Sequence, residues 1–427
     1  MEKDNLLVIH GGGPTAVMNA SLWGVLGEAA AHGEIGRVYG AVGGTAGLLD
    51  QQLADLTAMP AGQRQLLPVT PGTVLGSSRT PLGPEEYEKI AHVLAQKNIR
   101  WVLCNGGNGT MDTCGKIYQA CRRRGMELGV MGIPKTMDND LAATDHAPGF
   151  GSAARYMAGS VAELSADLRS LPIHVVVLEA MGRNAGWVTA ASALAADSGL
   201  PGPDLIYLPE RDFEEDRFLA DVEKLIRSKG CGLVVASEGL HDAAGKPIVQ
   251  PVFQTGRSVY FGDVSAHLAQ LITRKLGYKS RAEKPGLLGR ASIAWQSPLD
   301  REEAALAGKL AVKAALEGQS GKMVSFRRLS TDPYKMEPEL VDIAQVMLHE
   351  RKMPPEFINQ AGNGVTAAFM DWCRPLLGGP LPRMSNWNPW WCFHSFIAGK
   401  EVFVCWYPCA LFWPPPTPTA SARPPST

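Results

Sequence analysis

The sequence predicts an α/β fold of two lobes, each a mainly parallel sheet flanked by helices, with a cleft between them. Short apolar runs alternate with amphipathic stretches of helix length, the βαβ signature of a parallel sheet. Glycine-rich turns stand at the carboxyl ends of those runs, where open α/β sheets bind ligands. At 427 residues, 45% hydrophobic and 19% charged, the chain holds two or three domains' worth of ordinary globular core.

The elements follow in order. Leu6–His10 reads as a strand, Gly11-Gly12-Gly13-Pro14-Thr15 as a loop and Ala16–Ala31 as a helix. Successive backbone N–H groups in such a loop, with a helix N-terminus behind them, make an anion nest. Gly72-Thr73-Val74-Leu75-Gly76-Ser77-Ser78-Arg79 is a second small-residue loop, carrying one arginine. Trp101–Asn105 is a strand, followed by Gly106-Gly107-Asn108-Gly109-Thr110 and a helix over Met111–Arg124. Asp112, in its first turn, either caps that helix or faces a metal. None of these loops is a Walker A sequence, because no Gly-Lys-Ser/Thr follows at the required spacing.

Leu128–Met131 reads as the next strand, and Gly132-Ile133-Pro134-Lys135-Thr136-Met137-Asp138-Asn139-Asp140 follows it. This cluster makes sense if one carboxylate removes a proton and the other binds metal or orients its neighbour. The lysine then neutralises a phosphoryl group. Further on, Ile173–Leu178 is a strand that leads into Met181-Gly182-Arg183-Asn184-Ala185-Gly186 and a helix over Ala185–Ala196. Arg183 suits a second anionic group. Leu205–Leu208 and Leu233–Ala236 are strands, and Glu238 follows the latter, where a carboxylate suits sugar hydroxyls or caps a helix. Arg281, Lys284 and Arg290 form a basic loop suited to a sugar phosphate. Val264–Leu276 and Arg301–Glu317 read as long helices.

A formal net charge of −1 gives no bulk attraction to nucleic acid or an acidic membrane. No apolar run approaches the ~18 residues of a membrane span. The charged Met1–Asn5 leads straight into a strand, so no signal peptide is expected. Cys104, Cys114, Cys121 and Cys231 lack metal-ligand spacing and read as free thiols in a reducing cytosol, so the expected location is cytoplasmic.

The end of the chain differs. Trp387, Trp390, Trp391, Trp406 and Trp413 are five of its ten tryptophans, and Pro414-Pro415-Pro416 precedes a Pro/Ser/Thr-rich terminus expected to be disordered. The tail reads either as a partner- or membrane-touching segment or as sequence never selected to fold, as after a frameshift.

These loops, in this order and spacing, resemble the phosphofructokinase family over roughly residues 5 to 384. The central cluster is similar to that family's Gly-Ile-Pro-(Gly/Lys)-Thr-Ile-Asp-Asn-Asp motif. Gly-Thr-Val-Leu-Gly-Ser-Ser-Arg, Met-Gly-Arg and Ser-Glu-Gly match as well. The resemblance implies a phosphofructokinase-like fold with the active site in the interlobe cleft. It implies a donor-binding lobe over 1–170 to which later segments return, a sugar-phosphate lobe with a helical region over 171–384, and an atypical tail over 385–427. It implies phosphoryl transfer to the 1-hydroxyl of fructose 6-phosphate in glycolysis, with Mg2+ as cofactor, by a homodimer or homotetramer.

By the same resemblance Asp138 is the base, Asp140 assists it and the metal, and Lys135 acts on the moving phosphoryl group. Thr136, Met181, Gly182, Arg183, Glu238 and Arg290 hold the sugar phosphate, and Lys284 is read with them from the basic loop. Gly12, Gly13, Arg79, Gly107, Asn108, Gly109 and Thr110 hold the donor. The family's donor loop reads Gly-Gly-Asp, with the aspartate on magnesium. Here Asn108, a poor magnesium ligand, stands in its place, so Asp112 or Asp140 is the expected substitute. Leu287 stands where many relatives have a histidine.

The donor is pyrophosphate or ATP. Gly109 leaves room for a nucleotide where pyrophosphate users carry an aspartate. Lys135 and the Gly-Gly-Asn-x-Thr-x-Asp-Thr pattern resemble short pyrophosphate-type members, and pyrophosphate is the preferred reading. A non-catalytic regulatory paralogue is the alternative of a different class.

Overall fold

The computed structural model describes residues 3–170, 174–255 and 258–386, and two short strands in the tail. The strands are β1 (Asp4–His10), β2 (Ile35–Ala41), β3 (Leu53–Asp55), β4 (Ile99–Gly106), β5 (Gly129–Pro134), β6 (Val175–Ala180), β7 (Leu205–Tyr207), β8 (Gly232–Ser237), β9 (Pro251–Thr255), β10 (Ser258–Phe261), β11 (Ser280–Glu283), β12 (Lys322–Thr331) and β13 (Tyr334–Asp342).

Seven of them form one sheet in the order β13-β12-β5-β4-β1-β2-β3. The five central strands, β12 to β2 in that order, run parallel, and β13 and β3 close the edges antiparallel. Strand β1 has β2 on one side and β4 on the other, so the chain reverses its direction of winding there. The carboxyl end of β1 is therefore a topological switch point, the place where doubly wound sheets bind ligands. Four strands form a second, wholly parallel sheet, β11-β6-β8-β7. Strands β9 and β10 pair as a separate hairpin.

Alternation along the strands divides each core into two layers. Leu6 and Val8 face a cluster with Leu22, Val25 and Leu26 of the helix Met18–Ala29 and Ala307, Ala311 and Val312 of the helix Pro298–Leu316. Leu7 and Ile9 face the other way, onto Ile90 and Leu94 of Pro84–Gln96 and Met111 and Ile117 of Asn108–Arg123. In the second sheet Val176 and Leu178 meet the helix Phe150–Leu168. Val175 and Val177 meet Glu215–Lys229 and Val264–Leu276.

Two helices cross at glycine. A Cβ on Gly24 would lie 2.0 Å from the Ala305 carbonyl oxygen, and one on Gly308 would lie 2.0 Å from that of Ser21. Alanine raises helix propensity by about 1 kcal/mol over glycine, but overpacking costs about 1–3 kcal/mol, and here the obstacle is backbone. Gly24→Ala and Gly308→Ala are expected to lower the melting temperature, as a thermal melt followed by circular dichroism would record.

Several sequence expectations need correcting. Strand β5 runs on to Pro134, so Gly132–Pro134 is strand rather than turn, and Lys135 is the first residue beyond it. The helix after β4 begins at Asn108, which makes Asn108-Gly109-Thr110 its first turn. The expected Ala185–Ala196 helix is a short α-helix, Trp187–Ala191, continued as a 3-10 segment over Ser192–Ser198. The pair β12–β13 was not anticipated. It brings residues 322–342 back onto the first sheet.

In the tail, His394–Ile397 and Lys400–Phe403 pair as an antiparallel ladder. The five tail tryptophans and the proline-rich end lie outside the described residues. Cys104, Cys114 and Cys121 are buried free thiols. Among the described residues no helix is long and apolar enough to cross a membrane.

Candidate active site

The carboxyl ends of β1, β4 and β5 sit side by side, and three predicted clusters meet there. The loop Gly11–Gly13 leaves β1. Its backbone is approached so closely that a Cβ on Gly13 would lie 2.5 Å from Arg290 Nη1 and 4.0 Å from Arg79 Nη2. Ser77 Oγ donates to the Gly12 carbonyl at 2.7 Å, which binds the Gly72–Arg79 loop to this one. Lys135, only 3% exposed, donates from Nζ to the carbonyls of Gly11 at 3.2 Å and Gly13 at 2.6 Å. One ammonium and two guanidinium groups thus surround a glycine loop, an arrangement suited to a multiply charged anion.

Asp138 and Asp140 follow Lys135 in a turn made possible by Asn139, which has a left-handed φ of 53° and whose Oδ1 accepts from the Ala147 N–H at 3.1 Å. Asp140 is held on both oxygens. Thr136 Oγ1 donates to Oδ1 at 2.9 Å and Asn108 Nδ2 donates to Oδ2 at 2.9 Å. Asp138 Oδ1 has no hydrogen-bond partner among the described residues. Burial pushes the Asp138 carboxyl up to about 7, with Asp140 and Glu238 adding to the rise and Lys135 and Arg290 opposing it. Burial likewise brings the Lys135 ammonium down to about 8, with Asp138 opposing and Arg290 reinforcing.

The second sheet completes the cluster. A Cβ on Gly182 would lie 4.0 Å from Asp138 Oδ1, so the loop after β6 faces the aspartate directly. The Gly182 N–H donates to Glu238 Oε1 at 3.2 Å, and Ser237 Oγ donates to the Gly182 carbonyl at 2.9 Å. Arg183 is exposed. It donates to the Val259 carbonyl at 3.3 Å and lies over the Phe261 ring at 5.7 Å, which links it to the β9–β10 hairpin. Met181 is half-buried against the second core.

Three predicted residues have protein partners within the site. Thr136, expected on the sugar phosphate, donates its hydroxyl proton to Asp140 and accepts from the Asp138 N–H at 3.1 Å. It organises the aspartates. Lys284, expected on the same phosphate, is paired with Glu179 Oε1 at 2.9 Å and with Asp263. Asp112, expected on the metal, is bound by Lys116 Nζ at 2.6 Å, one helical turn along. Arg290, expected on the sugar phosphate, lies against the Gly11–Gly13 loop beside Arg79.

Magnesium takes oxygen ligands and is bound through one or two carboxylates plus substrate phosphates. Asn108 Oδ1 is a buried acceptor without a partner among the described residues, next to the Asp140 carboxylate that Asn108 Nδ2 holds. These residues fit such an ion. Among the described residues no group of three or more His, Cys, Asp or Glu side chains is placed to cage one.

The two shifted groups set a pH profile. The Asp138 carboxylate becomes protonated as pH falls through about 7, and Lys135 loses its charge as pH rises through about 8. A narrow bell for kcat/KM is expected, with limbs near those values and about a tenfold loss per unit on either side. Rates measured between pH 5 and 10 would check it.

Sequence reading missed Glu350, which lies beside Asp140, and its partner Asn184. Asn184 Nδ2 donates to both Glu350 oxygens at 3.0 and 3.1 Å, and Glu350 bears on Asp140 electrostatically. Asn184 follows the Met-Gly-Arg signal in sequence, but nothing local marks Glu350.

Comparison with known proteins agrees with this geometry. The family model "Phosphofructokinase" matches residues 5–315. The chain is 39% identical over 392 residues to the pyrophosphate--fructose 6-phosphate 1-phosphotransferase of Xanthomonas campestris, covering 90% of this chain and 93% of that one. It is 36% identical to the protein of the same name from Rhodospirillum rubrum, covering 90% and 96%. The crystal structure of a pyrophosphate-dependent phosphofructokinase from Nitrosospira multiformis superposes with a TM-score of 0.82 at 33% identity, covering 93% of this chain and 98% of that one. With the glycine loops, the aspartate pair and both sheets accounted for in this way, the chain belongs to the phosphofructokinase family.

Proposed function

We propose that the chain transfers a phosphoryl group from pyrophosphate to the 1-hydroxyl of fructose 6-phosphate, giving fructose 1,6-bisphosphate and inorganic phosphate, as a glycolytic enzyme. The observation that carries this reading is the convergence of Lys135, Arg79 and Arg290 on the Gly11–Gly13 loop, with an unpartnered Asp138 carboxylate oxygen facing the loop after β6. The names of its relatives from Xanthomonas campestris and Rhodospirillum rubrum support it.

In the proposed reaction Asp138 accepts the proton of the 1-hydroxyl. The sugar oxygen attacks the near phosphorus, the bridging P–O bond breaks, and inorganic phosphate leaves. Gly12, Gly13, Arg79 and the Gly107–Thr110 turn hold the donor, with Arg290 bearing on the phosphate nearest Gly13. Lys135 stabilises charge on the oxygens in transfer. Met181, Gly182, Arg183 and Glu238 hold the sugar phosphate. Asp140, fixed by Thr136 and Asn108, orients Asp138. A magnesium ion held by Asn108, Asp140 and the donor's own oxygens would neutralise phosphate charge. The enzyme is proposed to be a cytoplasmic homodimer or homotetramer, an assembly that light scattering would test.

Assay of the purified chain with fructose 6-phosphate tests the reading. Turnover with pyrophosphate and magnesium is expected, and turnover with ATP alone would overturn the choice of donor. The ATP reading has one observation in its favour. Gly109 is exposed on the first helical turn, and a Cβ there would meet nothing within 4 Å. Gly109→Asp therefore fits without strain. It is expected to suppress any ATP activity by repelling a nucleotide α-phosphate while sparing pyrophosphate activity. Parallel kcat/KM measurements with both donors would check this, and unchanged ATP turnover would remove Gly109 from the specificity argument.

A further inference from the structure

Residues 350 to 353 lie in neither loop that carries the chemistry, yet they are bonded to both. On the side of the base, Glu350 forms an antiparallel bridge with Leu141. The Arg351 N–H donates to the Asp140 carbonyl at 2.8 Å, and Arg351 Nη1 donates to the Asp145 carbonyl. On the side of the sugar-phosphate loop, Glu350 accepts from Asn184 Nδ2 at 3.0 and 3.1 Å. The Arg351 guanidinium lies 4.4 Å from the Trp187 ring centroid. The Met353 N–H donates at 3.3 Å to Glu210 Oε1, which also accepts the Gly186 N–H at 2.9 Å. Asn184, Gly186 and Trp187 continue directly from Met181–Arg183. Among the described residues no hydrogen bond runs directly between 135–145 and 181–187.

We propose that the segment Glu350–Met353 is a positioning strap, which sets the distance between the loop of the base and the loop of the sugar phosphate through the Asn184–Glu350 hydrogen bonds and the Arg351 contacts. This rests on the assignment of fructose 6-phosphate as the acceptor. In-line transfer requires the 1-hydroxyl, the base and the donor phosphorus to be aligned. A misplacement of about 1 Å can cost about 10²-fold in rate with the substrates still bound. The Arg351 guanidinium donates to the Asp145 carbonyl and lies over two aromatic faces, those of Trp187 and Trp372, so its plane is held. The Glu350–Asn184 link is solvent-exposed and removable without opening a core.

That exposed pair carries the test, because replacement of Arg351 risks unfolding. Full-length Asn184→Ala and Glu350→Ala are each expected to lower kcat about tenfold or more. KM for fructose 6-phosphate should stay within about twofold and the melting temperature near that of the wild type. The double variant should be no worse than either single one, since both break the same link. Glu350→Gln retains an oxygen that accepts from Asn184 and should keep most of the rate. Alanine variants with kcat within twofold of wild type would overturn the proposal. So would a Glu350→Gln as damaged as Glu350→Ala, which would assign the effect to charge near Asp140. Additive losses in the double variant would also overturn it. Wild-type turnover in the same assay tests the assigned reaction separately.

Discussion

Asp138→Asn should lower kcat by at least about 10²-fold, the lower end of what a general base contributes, while KM for fructose 6-phosphate changes little. The amide keeps the shape beside Gly182 and cannot accept the hydroxyl proton. The same substitution should stabilise the fold at neutral and alkaline pH. A carboxyl whose folded pKa is raised to about 7 binds its proton more tightly folded than unfolded. Its ionised form therefore detracts from stability as pH rises from the ordinary carboxyl range through about 7. The asparagine removes that charge from between Asp140 and Glu238. A melting temperature above wild type at pH 8, converging with wild type near pH 4, is the expected companion to the lost activity. A variant that kept half of the wild-type kcat would show that Asp138 is not the base.

Lys135→Met carries the second large effect. Methionine keeps most of the volume in this buried position and removes the proposed donor to the transferring oxygens. Loss of one such donor typically costs about 10²–10³ in kcat. The ammonium also ties together the carbonyls of Gly11 and Gly13, so KM for pyrophosphate should rise too, but by a smaller factor. Steady-state kinetics with pyrophosphate varied would separate the two. A raised KM at unchanged kcat would confine Lys135 to binding the ground state.

The loops at the ends of β1, β4, β5, β6 and β8 were legible in the sequence because glycine and polar clusters interrupt apolar runs there, and such interruptions in an α/β pattern have few explanations. What individual side chains do within the site was less legible. The ligand roles expected of Thr136, Lys284 and Asp112 came from the family resemblance, a basic loop and a helix position, none of which carries distances. Each meets a charged partner, Asp140, the Glu179–Asp263 pair or Lys116. Those pairings depend on distances that residue type does not carry, although the spacing of Asp112 and Lys116, four apart on one helix, is a signal that could have been used. The strap at residues 350–353 and the strands β12 and β13 were illegible for a different reason, because their partners lie far away in the chain.

The return of β12 to β5 bears on how the chain reaches this state during synthesis. The Val130 N–H is bonded by Ser320 Oγ, 190 residues later, and β5 pairs with β12 at Met131 and Gly132. Until β12 at Lys322–Thr331 has emerged from the ribosome, β5 is an open sheet edge of apolar residues, the kind of edge on which other chains can add. Contacts of such sequence separation also slow folding. The growing polypeptide thus passes through a long interval in which its first sheet is aggregation-prone. Fragments that stop between the two lobes should precipitate, and chaperone demand in the cell should peak just before residue 322 emerges.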